Sequence, residues 1–387
     1  MTIGSRVMQV LLVNPDSPFL IDSAAFPPLG LLYLGAALEA NDIDVRVVDL
    51  GIQQGVVREQ LWGHRPTLIG VSVLTDCLPQ IPQIIAACRD LYPDVPIAVG
   101  GPHISMHPED LLGANAAGLG DCEEAILGML GGPDQGGRYC SPNWTVDVNR
   151  YPIPARYLLP LHKYRYEIGG LRATSMMTQR GCPYACTFCA HWTGYQTVRT
   201  RDIANCMEEI RRLKGMGFGA VQFFDDEFNL DRGRVTEFCR ALRGEPIQWR
   251  AFIRVNLFGG EQAEEMAGAG CYELCAGVES GSNYILRGVN KGATVEQATR
   301  ARELCRSLGI RFKAFMILGL PGEAIETAEL TRRWLLDNRP DNFDLTVYRD
   351  WDDPDGGAYK GRPGEYSGPW GELRDSIDAE VRRELGL

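Results

Sequence analysis

The feature that most constrains this chain is a double series of short apolar runs alternating with helix-periodic segments, interrupted once. Residues 8–14 (MQVLLVN), 43–49 (IDVRVVD), 68–74 (LIGVSVL) and 97–101 (IAVGG) are β-branched and apolar almost throughout. Runs of that kind are strands buried on both faces of a parallel sheet. Helical patterns at 29–40, 80–92 and 122–130 fall between them. The βαβα order predicts an α/β, Rossmann-like doubly wound domain, whose ligands bind at the carboxyl ends of its strands.

From about Gly131 to Tyr166 the pattern lapses into GGPDQGGRYCSPNW and NRYPIPARYLLPLHKYRY. Such Gly, Pro and Tyr content predicts a linker running over a surface. A second series begins at Ala173, with strands at 173–179, 220–225, 248–255, 272–279, 311–318 and 343–349. Helices are read near 202–214, 232–243, 261–268, 294–308 and 324–337. Six βα units are too few to close an eight-stranded barrel, so the expectation is an open, partial (β/α)6 TIM-like barrel with its site at the strands' carboxyl ends. The domains expected are 1–130, a linker at 131–170, the barrel at 171–350, and a tail at 351–387 with one charged helix at 371–385.

With 39 Lys and Arg against 50 Asp and Glu, the formal charge is −11. That balance argues against nucleic acid or an anionic membrane as partner and favours a small-molecule substrate. The apolar run in the opening MTIGSRVMQVLLVNP stops too soon for a signal peptide or a membrane span, so a cytoplasmic location is expected. Twelve cysteines in that compartment do not make a disulfide framework. Cys77, Cys88, Cys206, Cys239 and Cys305 lie in apolar or helix-like settings and read as small buried hydrophobes.

One group is tightly clustered: Gly181-Cys182-Pro183-Tyr184-Ala185-Cys186-Thr187-Phe188-Cys189, directly after the first strand of the second series. Thiolates at such spacings let one loop wrap a compact iron–sulfur cluster. Three ligands leave one iron open to chelate amino and carboxylate groups and to pass an electron into a sulfonium. A structural zinc completed by His191 has acceptable chemistry, although zinc ligands usually come as two separated pairs.

The C-x3-C-x2-C spacing with Phe188 before the last cysteine resembles the signature of the radical S-adenosylmethionine (SAM) superfamily, and the resemblance covers about residues 170–350. It implies a [4Fe-4S] cluster on Cys182, Cys186 and Cys189, SAM as cofactor, and a reductant such as flavodoxin or ferredoxin. It also implies that Asp225, Asp226 or Glu227 receives the amino group of SAM. Arg254 and Glu279-Ser280 stand where the family contacts its carboxylate and ribose, and the run containing Ile317, Gly319 and Pro321 stands where it packs on adenine. A solvated acidic turn, a structural salt bridge and a core strand explain the same residues without a ligand.

Val13-Asn14-Pro15, Phe26-Pro27-Pro28-Leu29-Gly30, Val99-Gly100-Gly101-Pro102-His103 and Gly118-Leu119-Gly120-Asp121-Cys122-Glu123 resemble the cobalamin-binding subclass of this superfamily. The resemblance implies cobalamin held by the first domain, with Gly100 and Gly101 leaving room for a flat ring and His103 beside it. The D-x-H-x-x-G pattern that supplies a cobalt ligand is absent, and His103 and His107 also read as polar loop residues. The activity implied is generation of a 5′-deoxyadenosyl radical for cobalamin-dependent C-methylation of an unactivated carbon in natural-product biosynthesis. The alternatives are a cobalamin-free dehydration, deoxygenation, oxidation or rearrangement of a polar, sugar-like substrate, and an iron–sulfur or zinc binding module without catalysis. Cys271, Tyr272, Cys275 and Tyr348 are candidates to face a substrate, as are the carboxylates of Arg349-Asp350-Trp351-Asp352-Asp353. Core packing or an exposed loop explains each equally.

Overall fold

The computed structural model describes residues 8–17, 22–52, 56–130, 138–140, 147–189, 197–348 and 369–387. The chain divides into two compact units, Met1–Tyr166 and Glu167–Leu387.

In the first unit β1 (Gln9–Asn14), β2 (Asp44–Asp49), β3 (Leu68–Ser72), β4 (Ile97–Gly100), β5 (Ala116–Leu119) and β6 (Arg138–Cys140) form one sheet in the order β2-β1-β3-β4-β5-β6. Every pairing is parallel. Side chains alternate across a strand, and both faces here are buried. Val10 and Leu12 join the core with Leu32 and Leu38 of α1 (Leu29–Glu39) and Ile126 of α5 (Cys122–Met129). Leu11 and Val13 point the other way, toward Ile81, Ile84 and Cys88 of α3 (Ile81–Leu91). The sheet order reverses at β1 and β3, so their carboxyl ends border the crevice where doubly wound sheets take ligands.

Several elements of this unit, β6 among them, were not expected from the sequence. β5 is built from Ala and Gly, which carry little strand signal, and α2 (Val57–Leu61) and α4 (Pro102–Met106) are too short to show a helical period. The expected surface linker is also corrected, because residues 147–166 are packed into the first unit. The Tyr164 hydroxyl donates to Asp49 Oδ2 at 2.6 Å, and Leu159 and Tyr164 are buried in the core. Leu158 lies where a side chain on Gly35 of α1 would stand, 2.6 Å from an ideal Cβ.

The second unit holds a seven-stranded, curled half-barrel sheet in the order β15-β14-β13-β12-β11-β8-β7. Its strands are β7 (Glu167–Ile168), β8 (Leu171–Met176), β11 (Ala220–Phe223), β12 (Gln248–Ile253), β13 (Cys271–Glu279), β14 (Arg311–Leu318) and β15 (Asn342–Val347). β7 is a short antiparallel addition to β8, and the other pairings are parallel. The short strands β9 (Gln179–Arg180) and β10 (Arg199–Thr200) pair separately. Helices α6 (Ile203–Gly215), α7 (Arg232–Leu242), α8 (Gly260–Gly268), α9 (Asn283–Gly288), α10 (Val295–Ser307) and α11 (Ile325–Asn338) lie between strands, and α12 (Pro369–Leu385) follows them.

Phe223 packs edge-on against Phe238 of α7 at 5.4 Å, and the Trp249 indole donates to Ala269 O at 2.8 Å. These side chains fix the helix-facing side of the sheet. Strand alternation therefore sends Gln222, Arg250, Phe252, Lys313 and Phe315 to the concave side. Ser175, Gln222, Arg250, Glu273 and Arg311 stand in register on five successive strands. Arg250 donates to Gln222 Oε1 and, at 3.2 Å, to Glu273 Oε1. Arg311 lies 3.6 Å from the other Glu273 oxygen. Gln222, Arg250, Glu273 and Arg311 thus close the lower part of the concave face as one linked polar row.

At the open edge, α12 packs along β15. Arg374 Nε donates to Leu345 O at 2.8 Å and Arg382 Nη2 to Phe343 O at 3.0 Å. The acceptors are two residues apart, as outward carbonyls on one strand edge are.

Candidate active site

The cysteine loop leaves β8 at the carboxyl end of the sheet, and the ends of the neighbouring strands hold it. Asp225, fully buried after β11, accepts hydrogen bonds from Thr178 N at 2.6 Å, from Gln179 N at 3.1 Å and from the Thr178 hydroxyl. Burial pushes its carboxyl up to about 6 despite those donors. Asp226 accepts from Gly181 N at 2.9 Å. Asp225 spends both oxygens on the loop's entry, so the expectation that it is directed at a ligand is replaced by an anchoring role, which Asp226 shares through Oδ2. Farther along, Asn290 Nδ2 donates to Ala185 O at 2.9 Å and Thr187 N to Val289 O at 3.1 Å.

Cys182 is buried, Cys186 half-buried and Cys189 exposed, and all three are free thiols. Burial, helped by Glu227 and Asp226, pushes the Cys182 thiol up to about 11. Among the described residues no three His, Cys, Asp or Glu side chains converge as a closed single-ion site. The donor set still fits a cluster: three unbridged sulfurs on one loop, anchored at its entry by the end of β11 and farther along by the Val289-Asn290 turn after α9. A cluster is also large enough to span sulfurs that do not meet around one ion. His191, the fourth ligand of the zinc alternative, lies outside the described residues.

A buried charge group adjoins the loop. Arg254, at the end of β12, lies 3.6 Å from the Tyr184 ring centroid and places Nη1 3.8 Å from Cys186 Sγ. Its Nε and Nη2 are buried without a protein partner. Lys291 Nζ donates to Glu279 Oε1 at 2.8 Å and lies 5.7 Å from the Phe188 ring centroid. Glu279 adopts φ +67 at an irregularity in the β13–β14 register, a conformation uncommon for a non-glycine residue and concentrated at functional sites. Glu227 keeps Oε2 buried and unpartnered. Its carboxyl is raised to about 7 by burial, against the pull of Lys291 and Arg254. Orphaned donors on Arg254 and an orphaned acceptor on Glu227 are groups that a zwitterionic ligand would satisfy.

Ser280 stands apart from this group. Its hydroxyl accepts from Ser282 N at 3.1 Å and meets Thr331 Oγ1 at 3.4 Å, so it shapes the turn after β13. Ile317, like Phe188 and Tyr348, packs against the buried cluster of Ile285, Val289 and Leu320, next to the loop. Gly319 has φ +78 and faces Trp370 of α12, and Pro321 is exposed. Glu323 accepts from Gly319 N at 2.5 Å and Leu320 N at 3.3 Å, which folds this turn. Cys275 is buried, its thiol pushed up to about 12, and burial likewise raises the Cys271 thiol. Tyr272 lies below the site, beside Arg311. Arg349 to Asp353 fall outside the described residues.

In the first unit, Gly101 has φ +113, and a Cβ there would come within 2.9 Å of Val73 O. A Cβ on Gly118 would come within 2.9 Å of Cys122 Sγ. These glycines let the Val73 backbone and the Cys122 side chain pack closely at the carboxyl ends of β4 and β5. His103 is buried, with Nδ1 3.1 Å from Thr75 Oγ1 and Nε2 3.1 Å from Asp110 Oδ2. Both ring nitrogens are engaged within the unit, which corrects the expectation of a cofactor contact from this side chain.

Sequence reasoning missed Lys291, Tyr184, Asn290 and Glu323. The Val289-Asn290-Lys291-Gly292 turn, with Asn290 and Gly292 at positive φ, carried a turn signal. Nothing local announced that Lys291 meets Glu279 twelve residues away.

Residues 176–335 match the model of the radical SAM superfamily, and residues 23–128 match that of the B12 binding domain. The chain belongs to the radical SAM superfamily and carries an associated B12-binding domain. It is 28% identical over 364 residues to an uncharacterized methyltransferase of Pyrococcus horikoshii, covering 84% of this chain and 77% of that protein. It is 28% identical over 380 residues to the anaerobic magnesium-protoporphyrin IX monomethyl ester cyclase of Rubrivivax gelatinosus, covering 89% and 68%. Its fold is similar to that of the radical SAM methyltransferase TsrM from Kitasatospora setae, solved with tryptophan and a SAM analogue. There the TM-score is 0.76 at 23% identity, covering 88% of this chain and 73% of that one. No helix among the described residues is long and apolar enough to cross a membrane.

Proposed function

We propose that this chain is a cobalamin-dependent radical SAM enzyme that methylates an unactivated carbon of a small-molecule substrate in natural-product biosynthesis, fed electrons by a flavodoxin or ferredoxin. The observation that carries the reading is the ring of groups around the cysteine loop: Arg254, Glu227, Glu279 and Lys291, with orphaned donors and an orphaned acceptor. The TsrM fold has been solved with cobalamin and a [4Fe-4S] cluster, which supports the same cofactors here.

Cys182, Cys186 and Cys189 would hold the cluster, and the carboxyl ends of β4 and β5 would face cobalamin. When bound, these groups supply the electron that cleaves SAM to methionine and a 5′-deoxyadenosyl radical, and the methyl carrier. The chain's own work is positioning. Arg254 offers Nε and Nη2 to the carboxylate of SAM, and Glu227 offers Oε2 to its amino group. Lys291 neutralises Glu279, so the site keeps that carboxylate without an uncompensated charge.

The test is anaerobic purification after growth with hydroxocobalamin, followed by the visible spectrum and iron and cobalt analysis. Iron with stoichiometric cobalt is expected. Iron without cobalt would replace methylation by cobalamin-free radical chemistry, and zinc without iron would overturn the enzyme reading.

A further inference from the structure

The concave face of the half-barrel carries a second surface above its polar row. Phe224 follows β11 and is 38% exposed, and its ring stacks on Phe252 of β12 at 6.3 Å and 19°. Phe252 in turn lies 6.0 Å from Phe315 of β14. These two strands are not neighbours, since β13 runs between them. The rings reach across because β13 presents only Cys275 and Gly277 there, in register with Phe252 and Phe315 respectively. The result is a shallow trough with a floor of small side chains and phenyl walls.

The trough inverts the usual order of burial. Gln222 and Glu273 beneath it are buried, while the phenyl rings above are half-buried or exposed. Large apolar rings left open over a sealed polar layer are a surface awaiting an apolar guest. The row below is bridged through Glu273, and its surplus cation is on Arg311, whose side chain is 41% exposed and so solvated. One rim is polar: Lys313 Nζ pairs with Asp344 Oδ2 at 2.7 Å and lies 5.2 Å from the Phe315 centroid. It offers donor and acceptor side by side.

A Cβ on Gly277 would come within 2.3 Å of Glu279 Oε1 and 2.7 Å of Lys291 Nζ. The trough therefore runs up to the charge group beside the cysteine loop. Resting on the functional reading above, we infer that this trough binds the substrate, and that the substrate is a flat aromatic or conjugated ring system with a neutral polar group at its edge. Phenyl walls favour a ring over a saturated group of equal size, because offset and edge contacts add to simple burial. The Lys313–Asp344 pair receives a group that both donates and accepts, such as an amide.

The experiment titrates the full-length protein with naphthalene-2-carboxamide and with its saturated analogue decahydronaphthalene-2-carboxamide, following ligand signals by nuclear magnetic resonance. The naphthyl probe is expected to bind about 2- to 12-fold more tightly, the range that aromatic pairing spans. Phe252→Leu should remove the preference, and Phe224→Leu, at a more exposed position, should reduce it without risk to the fold. Equal binding of the two probes, or a preference untouched by both substitutions, would overturn the inference. Iron content and SAM cleavage are measured on the same wild-type preparation. A ring preference without cleavage would sink the functional reading and leave the aromatic site standing, whereas cleavage without the preference would sink only the site.

Discussion

The Arg254 guanidinium lies flat enough on Tyr184 to bring its carbon within 3.6 Å of the ring centroid, while Nη1 reaches to 3.8 Å from Cys186 Sγ. One side chain thus ties the carboxyl end of β12 to the middle of the cysteine loop. A stacked cation of this kind contributes about 0.5–2 kcal/mol, and the planar fork, which a lysine ammonium lacks, lets one side chain cover the ring and reach Cys186 together. Arg254→Lys should therefore behave like Arg254→Leu, with amide exchange across residues 181–189 about 2- to 30-fold faster in both. Exchange at the wild-type rate in the lysine variant would show that charge alone holds the loop.

Replacing Cys182, Cys186 and Cys189 together by alanine should remove iron and the accompanying visible absorbance, while the remaining sheet keeps its far-ultraviolet circular dichroism. The loop is anchored by Asp225, Asp226 and Asn290, none of which needs the thiols. Iron bound at wild-type stoichiometry by the triple variant would place the cluster elsewhere.

Glu279 and Lys291 form a buried pair at 2.8 Å, each side chain less than a tenth exposed. Removing one partner strands the other charge, which typically costs about 3–5 kcal/mol. Glu279→Ala should thus lower the stability of the second unit by about that amount, and adding Lys291→Met should recover most of it. Denaturant unfolding of both variants decides the point. SAM affinity, read separately by equilibrium dialysis, should fall in the single variant beyond what its folded fraction explains.

His103 gives the first unit a pH dependence of definite sign. Burial holds its imidazole below the ordinary value of 6.5, outweighing Asp110. As pH falls below about 6.5 the unfolded chain takes the proton before the folded one, so the first unit loses stability toward acid. The protection factors of the β3 and β4 amides, which divide out the slower intrinsic exchange at acid pH, should fall on going from about pH 7.5 to 5.5. His103→Gln should flatten that slope, and parallel slopes in the two proteins would remove His103 from the account.

The strands were legible wherever branched apolar residues ran together, as in Val10 to Val13 and Phe312 to Leu318. The cysteine loop was legible from spacing alone. β5 was invisible because Ala116, Ala117 and Gly118 carry no strand preference, and the packing of Tyr164 on Asp49 joins residues 115 positions apart. The ladder of Gln222, Arg250 and Glu273 left a trace, since each interrupts an apolar strand with a polar side chain, yet only register shows that the three meet. The Glu279–Lys291 pair left none, because a buried lysine in a turn reads as a solvated one until the fold encloses it.

An unclosed barrel has a problem that a closed one lacks, namely a strand whose outward backbone groups can recruit another chain. Here the carbonyls of Phe343 and Leu345 are taken by Arg382 and Arg374 of α12. The terminal helix works as a selvedge. It finishes the cut side of the sheet, so the opening left for chemistry does not also become a seam along which copies of the protein can be stitched into fibres.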